Sequence, residues 1–282
     1  MGDRLRDGAE RLTPALARGT LARAATAAGR RRALKTFAWL GAGGTALYWT
    51  QGRVSWRDPL AGVLADVRTA TGEQRRVVLE DGTSVLLNTA SAIDVRFDAR
   101  ERRILLRAGE IMLTSGTDPV GRPLVVATDE GTLTPVGTRF AVRHDAIAGA
   151  IPCTRVAVAE GAVEVRLSGR QPELPVLVRA GEQLRFTRHA ADSPVLLDEA
   201  GQSWADGTFM AAGMRLDDFL ADLARYRPGM LRCAPEVAAL RITGVWPLRG
   251  EDAIDRILDS LERRLPVKVQ RFTRYWTRVA AR

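Results

Sequence analysis

Residues 72–91 read GEQRRVVLEDGTSVLLNTAS, and this stretch predicts a β-hairpin. Apolar runs at residues 77–79 and 85–87 flank an Asp81-Gly82 pair. An Asp-Gly pair tolerates the positive φ that a primed two-residue turn demands, and such turns join antiparallel strands. We therefore expect two paired strands with their turn at residues 81–82.

The alternation of apolar and polar residues continues from this hairpin to about residue 188. Ile93, Val95 and Phe97 alternate with charged residues, and similar runs recur further along the chain. Turns are expected at four glycine-bearing sites, namely 108–110, 130–131, 160–161 and 180–182. About ten to twelve short strands at this spacing predict an all-β domain, solenoid-like or sandwich-like, over residues 60–200.

The period changes after Trp204 to that of a helix. Apolar residues recur at i, i+3, i+4 and i+7 in two segments, Leu216, Phe219, Leu220 and Leu223, then Ile254, Ile257, Leu258 and Leu261. Pro228-Gly229 ends the first helix, and short strands are expected at 240–245, 267–272 and 275–280. Residues 204–282 therefore predict a small α/β domain.

Residues 36–52 carry no charge and predict a membrane span. As a helix they would measure about 25 Å, close to the thickness of the hydrocarbon core. Trp39 and Trp49 lie near the two ends, where aromatic side chains favour the headgroup region. No small-residue cleavage site follows, so we expect an uncleaved anchor. A buried helix of a soluble protein is the alternative interpretation.

The charges around this span predict its orientation. Residues 1–35 form a short basic segment with a balance of +6, and Arg30, Arg31, Arg32 and Lys35 lie directly before the span. The positive-inside rule places that segment in the cytoplasm and the bulk of the chain in the periplasm, so the protein crosses the inner membrane once. The paired arginines also resemble a twin-arginine export signal.

The net charge of +9 does not predict a nucleic-acid partner. The excess lies in residues 1–35 and 241–282, and the chain between them is close to neutral. Arginine makes up almost all of the basic residues, which GC-rich coding explains better than selection for phosphate contacts.

Motifs for catalysis, cofactors and metals are missing from the sequence or lack their context. Residues 41–46, GAGGTA, match a dinucleotide fingerprint, but no strand precedes them. His144 and His189 have no metal-ligand spacing and are expected at the surface or at strand ends. The carboxylate pairs Asp129-Glu130 and Asp217-Asp218 are expected to be solvated. The sequence thus predicts no enzyme, no cofactor and no metal.

We predict structural roles for three further residues, Cys153, Cys233 and Asn88. Cys153 and Cys233 lie in different predicted domains, so two independent, mostly buried thiols are favoured over a disulfide. Asn88 is the sole asparagine and follows a strand, where it is expected to close a local turn.

A series of short blocks resembles the FecR family of transmembrane sigma-factor regulators. The first is the 72–91 stretch, and the others are 103–110, 122–126, 136–142, 160–163, 180–183, 216–219, 225–227 and 242–246. The resemblance covers residues 60–282. It implies a FecR-like periplasmic β domain over 60–200 and, over 204–282, a domain akin to the short N-terminal domain of secretins and TonB-dependent transducers.

The chain departs from that family at two places. Residues 109–115 read GEIMLTS where the family has G-E-A-x-F-E-V, which alters the packing of one strand. Family members also carry a longer cytoplasmic segment that binds the sigma factor, with a Trp-bearing S-P-x-H-R stretch. Either the chain starts further upstream than Met1, or this protein has lost direct contact with the sigma factor.

The resemblance implies a signal transducer of the inner membrane. It would receive a signal from an outer-membrane TonB-dependent transducer and regulate an extracytoplasmic-function (ECF) sigma factor for iron or siderophore uptake genes. A membrane-anchored periplasmic enzyme acting on carbohydrate is the alternative, and it requires a cleft with two carboxylates.

A docking surface for the transducer's signalling domain is expected at the end of the chain. The strand 267–272 offers an unpaired edge beside Arg271, Arg274 and Arg278. The alternative is that the last strand, 275–280, covers this edge and that the arginines are only solvated.

Overall fold

A computed structural model describes residues 65–145, 151–169 and 174–282, which lie in one compact unit. Eleven strands come first: β1 (Val67–Arg68), β2 (Arg75–Val78), β3 (Ser84–Leu87), β4 (Ala92–Phe97), β5 (Arg102–Thr114), β6 (Leu124–Ala127), β7 (Gly131–Asp145), β8 (Cys153–Leu167), β9 (Val176–Arg179), β10 (Glu182–Phe186) and β11 (Val195–Leu196). We call these strands the β-sheet domain.

The remaining elements form the C-terminal part, residues 199–282. They are a 3-10 helix (Glu199–Asp206), β12 (Thr208–Arg215), helix α1 (Leu216–Leu223), a 3-10 turn (Ala224–Tyr226), β13 (Met230–Cys233), a second 3-10 turn (Pro235–Val237), β14 (Arg241–Pro247), helix α2 (Ala253–Arg264), β15 (Val267–Thr273) and β16 (Trp276–Ala281). The prediction of a mainly β fold with a small C-terminal α/β part is confirmed.

Three long strands build the β-sheet domain by changing partners along their length. The first half of β5 pairs with β4 and β6, and its second half pairs with β3 and β7. β8 pairs first with β10 and then with β9, while β7 lies beside it. Ile104 and Ile111, from the two halves of β5, enter the same buried cluster. The sheet is thus folded into two layers around one core.

Glycines mark the points where two of these strands change partners. Gly109 in β5 and Gly161 in β8 have φ of +83° and +78°, and the register shifts near each. A Cβ on Gly109 would lie 2.6 Å from the Cα of Ser91, so a larger residue does not fit. The turns predicted at 108–110 and 160–161 are wrong, because the strand pairing resumes after an irregular residue. Those at 130–131 and 180–182 join separate strands, as expected.

The hairpin of β2 and β3 has its turn where the sequence predicts it, but with another geometry. The Leu79 N–H donates to the Thr83 carbonyl, and the Gly82 N–H donates to the Leu79 carbonyl. Gly82 has φ of +79°, whereas Asp81 is not in the positive region. The loop therefore has three residues and ends in a glycine bulge, instead of the predicted primed two-residue turn.

The inner faces of the two layers form an apolar core. Its fully buried members include Val85, Leu87, Ile111, Leu113, Phe140, Val142, Val156, Val158, Val163 and Val165. Intervening residues of the same strands point to the outer face. Three of these, Leu86, Met112 and Ala141, are also buried and join the core of the C-terminal part.

In the C-terminal part, both helices contribute their predicted apolar stripes to one core. Residues of the β12–β14 sheet (Phe209, Trp246) and of the β13–β16–β15 sheet (Leu231, Val279) join the same cluster. The apolar faces of the two helices and residues of both small sheets thus share one core.

The predicted membrane span, 36–52, lies outside the described residues. Among the residues that are described, no helix is both long enough and apolar enough to cross a membrane.

Candidate functional site

The outer face of the β-sheet domain contacts the C-terminal part through polar and charged side chains as well as apolar ones. Asp222 of α1 accepts a hydrogen bond from Arg143 of β7 at 2.9 Å. Arg225, in the 3-10 turn after α1, pairs with Glu110 of β5 at 2.8 Å. This contact lies beside the buried apolar residues Leu86 and Met112, and the Glu110 side chain in it is buried, whereas that of Asp222 is partly exposed.

Asn88 is the centre of this contact, and all of its polar groups have partners. Its side-chain N–H groups donate to Glu110 at 2.9 Å and to the Tyr226 hydroxyl at 2.8 Å. Its side-chain oxygen accepts from Gln74 at 3.0 Å. The backbone N–H donates to the Glu110 carbonyl, and the backbone oxygen accepts from Thr69 at 2.6 Å. The predicted local turn role is therefore wrong, since Asn88 is fully buried and its partners are distant in sequence.

Residues 69–74 take part in the same hydrogen-bond network. We call them the entry segment, because they directly precede the β2–β3 hairpin. Gln74 also donates to the Trp204 carbonyl at 3.2 Å. The Gly72 N–H donates to the Thr89 hydroxyl, which in turn donates to the Arg225 carbonyl. Three parts of the chain, the entry segment, the sheet and the C-terminal part, thus meet around Asn88.

Three groups at this contact, Tyr226, Arg143 and Asp145, have shifted pKa values. Burial, reinforced by the charge of Glu110, raises the pKa of Tyr226, so the phenol stays neutral. Burial disfavours the charged form of Arg143, but the carboxylates of Asp222 and Glu110 outweigh it and raise the pKa of the guanidinium. Burial likewise opposes ionisation of Asp145, yet Arg143 and Arg155 lower its pKa. Arg143 and Asp145 therefore remain charged and paired with each other.

The predicted docking surface at β15 has one free edge. β16 lies between β13 and β15, so it covers one side of β15 only. On the other side, Glu262 of α2 accepts a hydrogen bond from the Val269 N–H at 2.6 Å. The unpaired edge is therefore closed at Val269 and is open toward residues 270–273.

The three arginines of that surface have different surroundings. Arg271 pairs with Asp259 at 2.6 Å and lies 3.6 Å from Asp255, both on α2. Arg278 lies 3.9 Å from Glu236, and Arg274 lies over the ring of Tyr275 at 4.6 Å.

Aromatic side chains accompany these arginines. Phe272 and Trp276 stack with ring centroids 4.3 Å apart, and both are about half exposed, as is Tyr275. This aromatic patch was not predicted from the sequence, although the sequence does show Phe272 and Trp276 four residues apart around a tight turn.

The residues predicted to anchor and orient the chain, Arg30, Arg31, Arg32, Lys35, Trp39 and Trp49, lie outside the described residues. Within the described part of the chain, no group of three His, Cys, Asp or Glu side chains could hold a metal ion. Cys153 and Cys233 are free thiols, the first buried and the second half-buried, as predicted.

His144 does lie near the end of β7, as predicted, but it is buried. Its Nε2 lies 3.2 Å from a carboxylate oxygen of Glu130, which is buried too and accepts a hydrogen bond from Thr154. The expectation that the Asp129-Glu130 pair is solvated is therefore wrong for Glu130, because the turn directs it inward beside His144.

One small polar cleft of about 290 Å³ lies beside Arg102 and Arg122. Arg122 binds Asp118, and this hydrogen bond lowers the pKa of Asp118 to about 2. Arg102 binds Asp81 at 2.6 Å. Asp118 is the one carboxylate among the described residues that line this cleft, and it is bound to Arg122, so the cleft offers no acid and base pair for glycoside hydrolysis.

Comparison with known proteins identifies the first part of this architecture. Residues 65–164 match the FecR protein family. No curated protein matches the chain in sequence. Two crystal structures of a "putative anti-sigma factor" from Parabacteroides distasonis share the fold, each with a TM-score of 0.60 and 20% identity, over 77% of this chain and 98% of theirs. The predicted resemblance to the FecR family is confirmed over these residues.

Proposed function

We propose, from the FecR domain that residues 65–164 form, that this chain is an anti-sigma regulator and inner-membrane signal transducer. The fold that it shares with the Parabacteroides distasonis protein supports this proposal at the level of architecture. In this view an outer-membrane TonB-dependent transducer delivers the signal, an ECF sigma factor is the controlled partner, and iron or siderophore uptake genes are the output.

The proposed topology has a cytoplasmic segment 1–35, a span 36–52 and a periplasmic remainder. A reporter fused after Arg57 is expected to be active only in the periplasm, and neutral residues at Arg30, Arg31 and Arg32 are expected to impair insertion. A fusion at this position that is active in the cytoplasm would contradict the anchor.

The transducer's signalling domain is proposed to dock on the open edge of β15. The observation that carries this step is the exposed Phe272–Trp276 stack beside the edge of β15 that β16 leaves open at residues 270–273. Aromatic side chains are frequent anchors of protein interfaces, and an unpaired edge accepts a partner's strand through backbone hydrogen bonds. Arg274 lies over the ring of Tyr275, and Arg278 has only a long ion pair with Glu236 at 3.9 Å, so their charges favour an acidic partner.

The test is a pull-down of the full chain, in detergent, with the transducer's periplasmic domain. Replacing Arg271, Arg274 and Arg278 by Glu is expected to weaken binding at least tenfold at low salt and less at high salt, because exposed charges are screened over about 10 Å at 0.1 M salt. Arg75, Arg100 and Arg179, which are exposed on the β-sheet domain, provide a control with the same charge change. Unchanged affinity of the first variant would move the interface away from β15.

Control of the sigma factor is tested in cells. Deletion of residues 205–282 is expected to abolish the response of a sigma-dependent reporter gene to the transducer. The deletion also uncovers Leu86, Met112 and Ala141, so the same cells must be assayed for the amount of truncated chain. A normal response without residues 205–282 would exclude the C-terminal part as the receiver.

A further inference from the structure

The contacts of Asn88 continue in two directions, and together they connect the β15–β16 hairpin to the entry segment. The tip of that hairpin is bound to the chain just after Tyr226. Arg227 donates to the Arg274 carbonyl at 2.9 Å, and the Met230 N–H donates to the Tyr275 carbonyl at 2.6 Å. A Cβ on Gly229 would collide with the backbone of Tyr275, so the two segments are in close contact.

From Tyr226 the contacts pass through Asn88 to the entry segment. Tyr226 accepts from Asn88, and Asn88 accepts from Gln74 and Thr69 through its side chain and its backbone. The hydroxyl of Thr69 therefore bonds the same residue that holds Tyr226. Ala70 accepts from the Ala90 N–H, and Ser91 from the Thr69 N–H, which fixes the entry segment to the chain around Asn88.

We propose that Asn88 is a positioning residue that couples the C-terminal part to the entry segment, so that a change at the β15–β16 hairpin alters the stability of residues 69–74. The proposal rests on the proposed function for its biological meaning, since the entry segment follows the predicted span in sequence. The coupling itself requires no partner and is a property of the free protein.

The chemistry of the site explains why asparagine is suited to this role. Its amide donates two hydrogen bonds and accepts one from side chains, and each goes to a different segment. Aspartate would place a second negative charge against Glu110, and leucine would leave Glu110, Gln74 and Tyr226 without this partner. Because Asn88 is fully buried, water cannot replace a lost hydrogen-bond partner. Loss of the hydrogen bond to the C-terminal part therefore also weakens the hydrogen bonds that Asn88 makes with the entry segment.

The test is hydrogen exchange of the full chain in detergent, with Tyr226→Phe as the variant. This change removes only the hydroxyl that Asn88 contacts. Amides of residues 67–74 are expected to exchange about fivefold faster, the effect of losing one typical buried hydrogen bond, while those of β8 remain unchanged. Ser260→Ala is the control, because it removes two other buried hydrogen bonds of the C-terminal core, from Trp246 at 2.8 Å and to the Ile257 carbonyl at 2.7 Å, far from Asn88 in the bonding network.

Coupling must also act in reverse, since an interaction free energy between two sites is reciprocal. Gln74→Ala is therefore expected to accelerate exchange in residues 224–230. The proposal is overturned if Tyr226→Phe changes only residues near 226, or if Ser260→Ala loosens residues 67–74 equally. Because no transducer or sigma factor is present, these outcomes leave the docking and reporter experiments to judge the proposed function separately.

Discussion

The inner and outer faces of the strands in the β-sheet domain differ in the interactions that their side chains make. On the inner face, Leu87, Ile111 and Phe140 pack against other apolar side chains and are fully buried. On the outer face, Leu86, Met112 and Ala141 provide the apolar contacts, but Asn88, Glu110 and Arg143 lie among them. One face is thus a conventional core, and the other is a mixed contact with the C-terminal part.

This difference indicates that the two faces of the sheet have different roles. Apolar burial is non-directional and contributes most of the folding free energy. Buried ion pairs and hydrogen bonds add little net stability, but losing one partner is costly, and they specify one arrangement. Contacts between parts of a chain that move relative to each other are commonly of this polar kind. We therefore expect the inner face to determine stability and the outer face to determine how the two parts respond to each other.

The largest effect is expected from the inner face. Phe140→Ala removes a fully buried ring from between the two layers and leaves a cavity. The free energy of unfolding should fall by about 3–5 kcal/mol, measured by urea unfolding of the full chain in detergent. Val136→Ala, an exposed position on the same strand, is the control and should cost less than about 0.5 kcal/mol. A loss below about 1 kcal/mol for Phe140→Ala would refute the two-layer core.

An intermediate effect is expected from the outer face. Arg143→Met keeps the apolar stem but leaves Asp222 without its guanidinium and Asp145 with Arg155 alone, so the free energy of unfolding should fall by about 2 kcal/mol. Arg155→Met is the matched control, because Arg155 also pairs with Asp145 but is half exposed. Its cost should stay below about 1 kcal/mol. Equal losses in the two variants would mean that the outer contact is not desolvated.

A smaller, pH-dependent effect is expected where the inner face ends at His144. Burial opposes the charged form of both partners, but their mutual hydrogen bond and attraction raise the pKa of His144 above 6.5 and lower that of Glu130 below 4.5. The histidine contributes stability that is lost as pH rises through its raised pKa. The glutamate contributes stability that is lost as pH falls through its lowered pKa.

The pair is therefore fully stabilising between about pH 4.5 and 6.5, by roughly the 0.5–1.5 kcal/mol of one buried hydrogen bond. His144→Gln should flatten the fall in stability above pH 6.5 in urea titrations, while the exposed His189→Gln should leave that profile unchanged. A profile that is the same in wild type and in His144→Gln would contradict the pairing.

The local sequence pattern was sufficient to predict the helices and strands, but it was not sufficient to predict how the strands are connected. The apolar stripes at Leu216–Leu223 and Ala253–Arg264 predict both helices, since their period depends only on neighbouring residues. Glycine is less specific, because a positive φ serves a turn and a kink within a strand equally well. Gly181 therefore lies in a turn between two strands as predicted, whereas Gly109 and Gly161, which also have positive φ, lie inside continuous strands.

The Asn88 site could not be read from the sequence because its partners are remote. Glu110 lies 22 residues away and Tyr226 lies 138 residues away, and no local rule joins them. One signal was present in the consecutive apolar residues Val85, Leu86 and Leu87. Such a run indicates a strand that is buried on both faces, and a polar residue directly after it is then expected to be buried and to need several partners.

The smallest effect is expected from the thiols, and it tests whether the two parts of the chain are held without a covalent link. Cys153 lies on β8 of the sheet and accepts a hydrogen bond from Arg185, while Cys233 lies on β13 of the C-terminal part. Burial raises the pKa of the Cys233 thiol, which lowers its reactivity as a thiolate. Adding a reductant should therefore change the free energy of unfolding of the full chain by less than about 0.5 kcal/mol. Mass spectrometry should find both thiols free. If a disulfide between Cys153 and Cys233 were found instead, that bond would be the main restraint between the two parts, and the polar contact around Asn88 would not be. A disulfide typically stabilises a protein by about 2–4 kcal/mol.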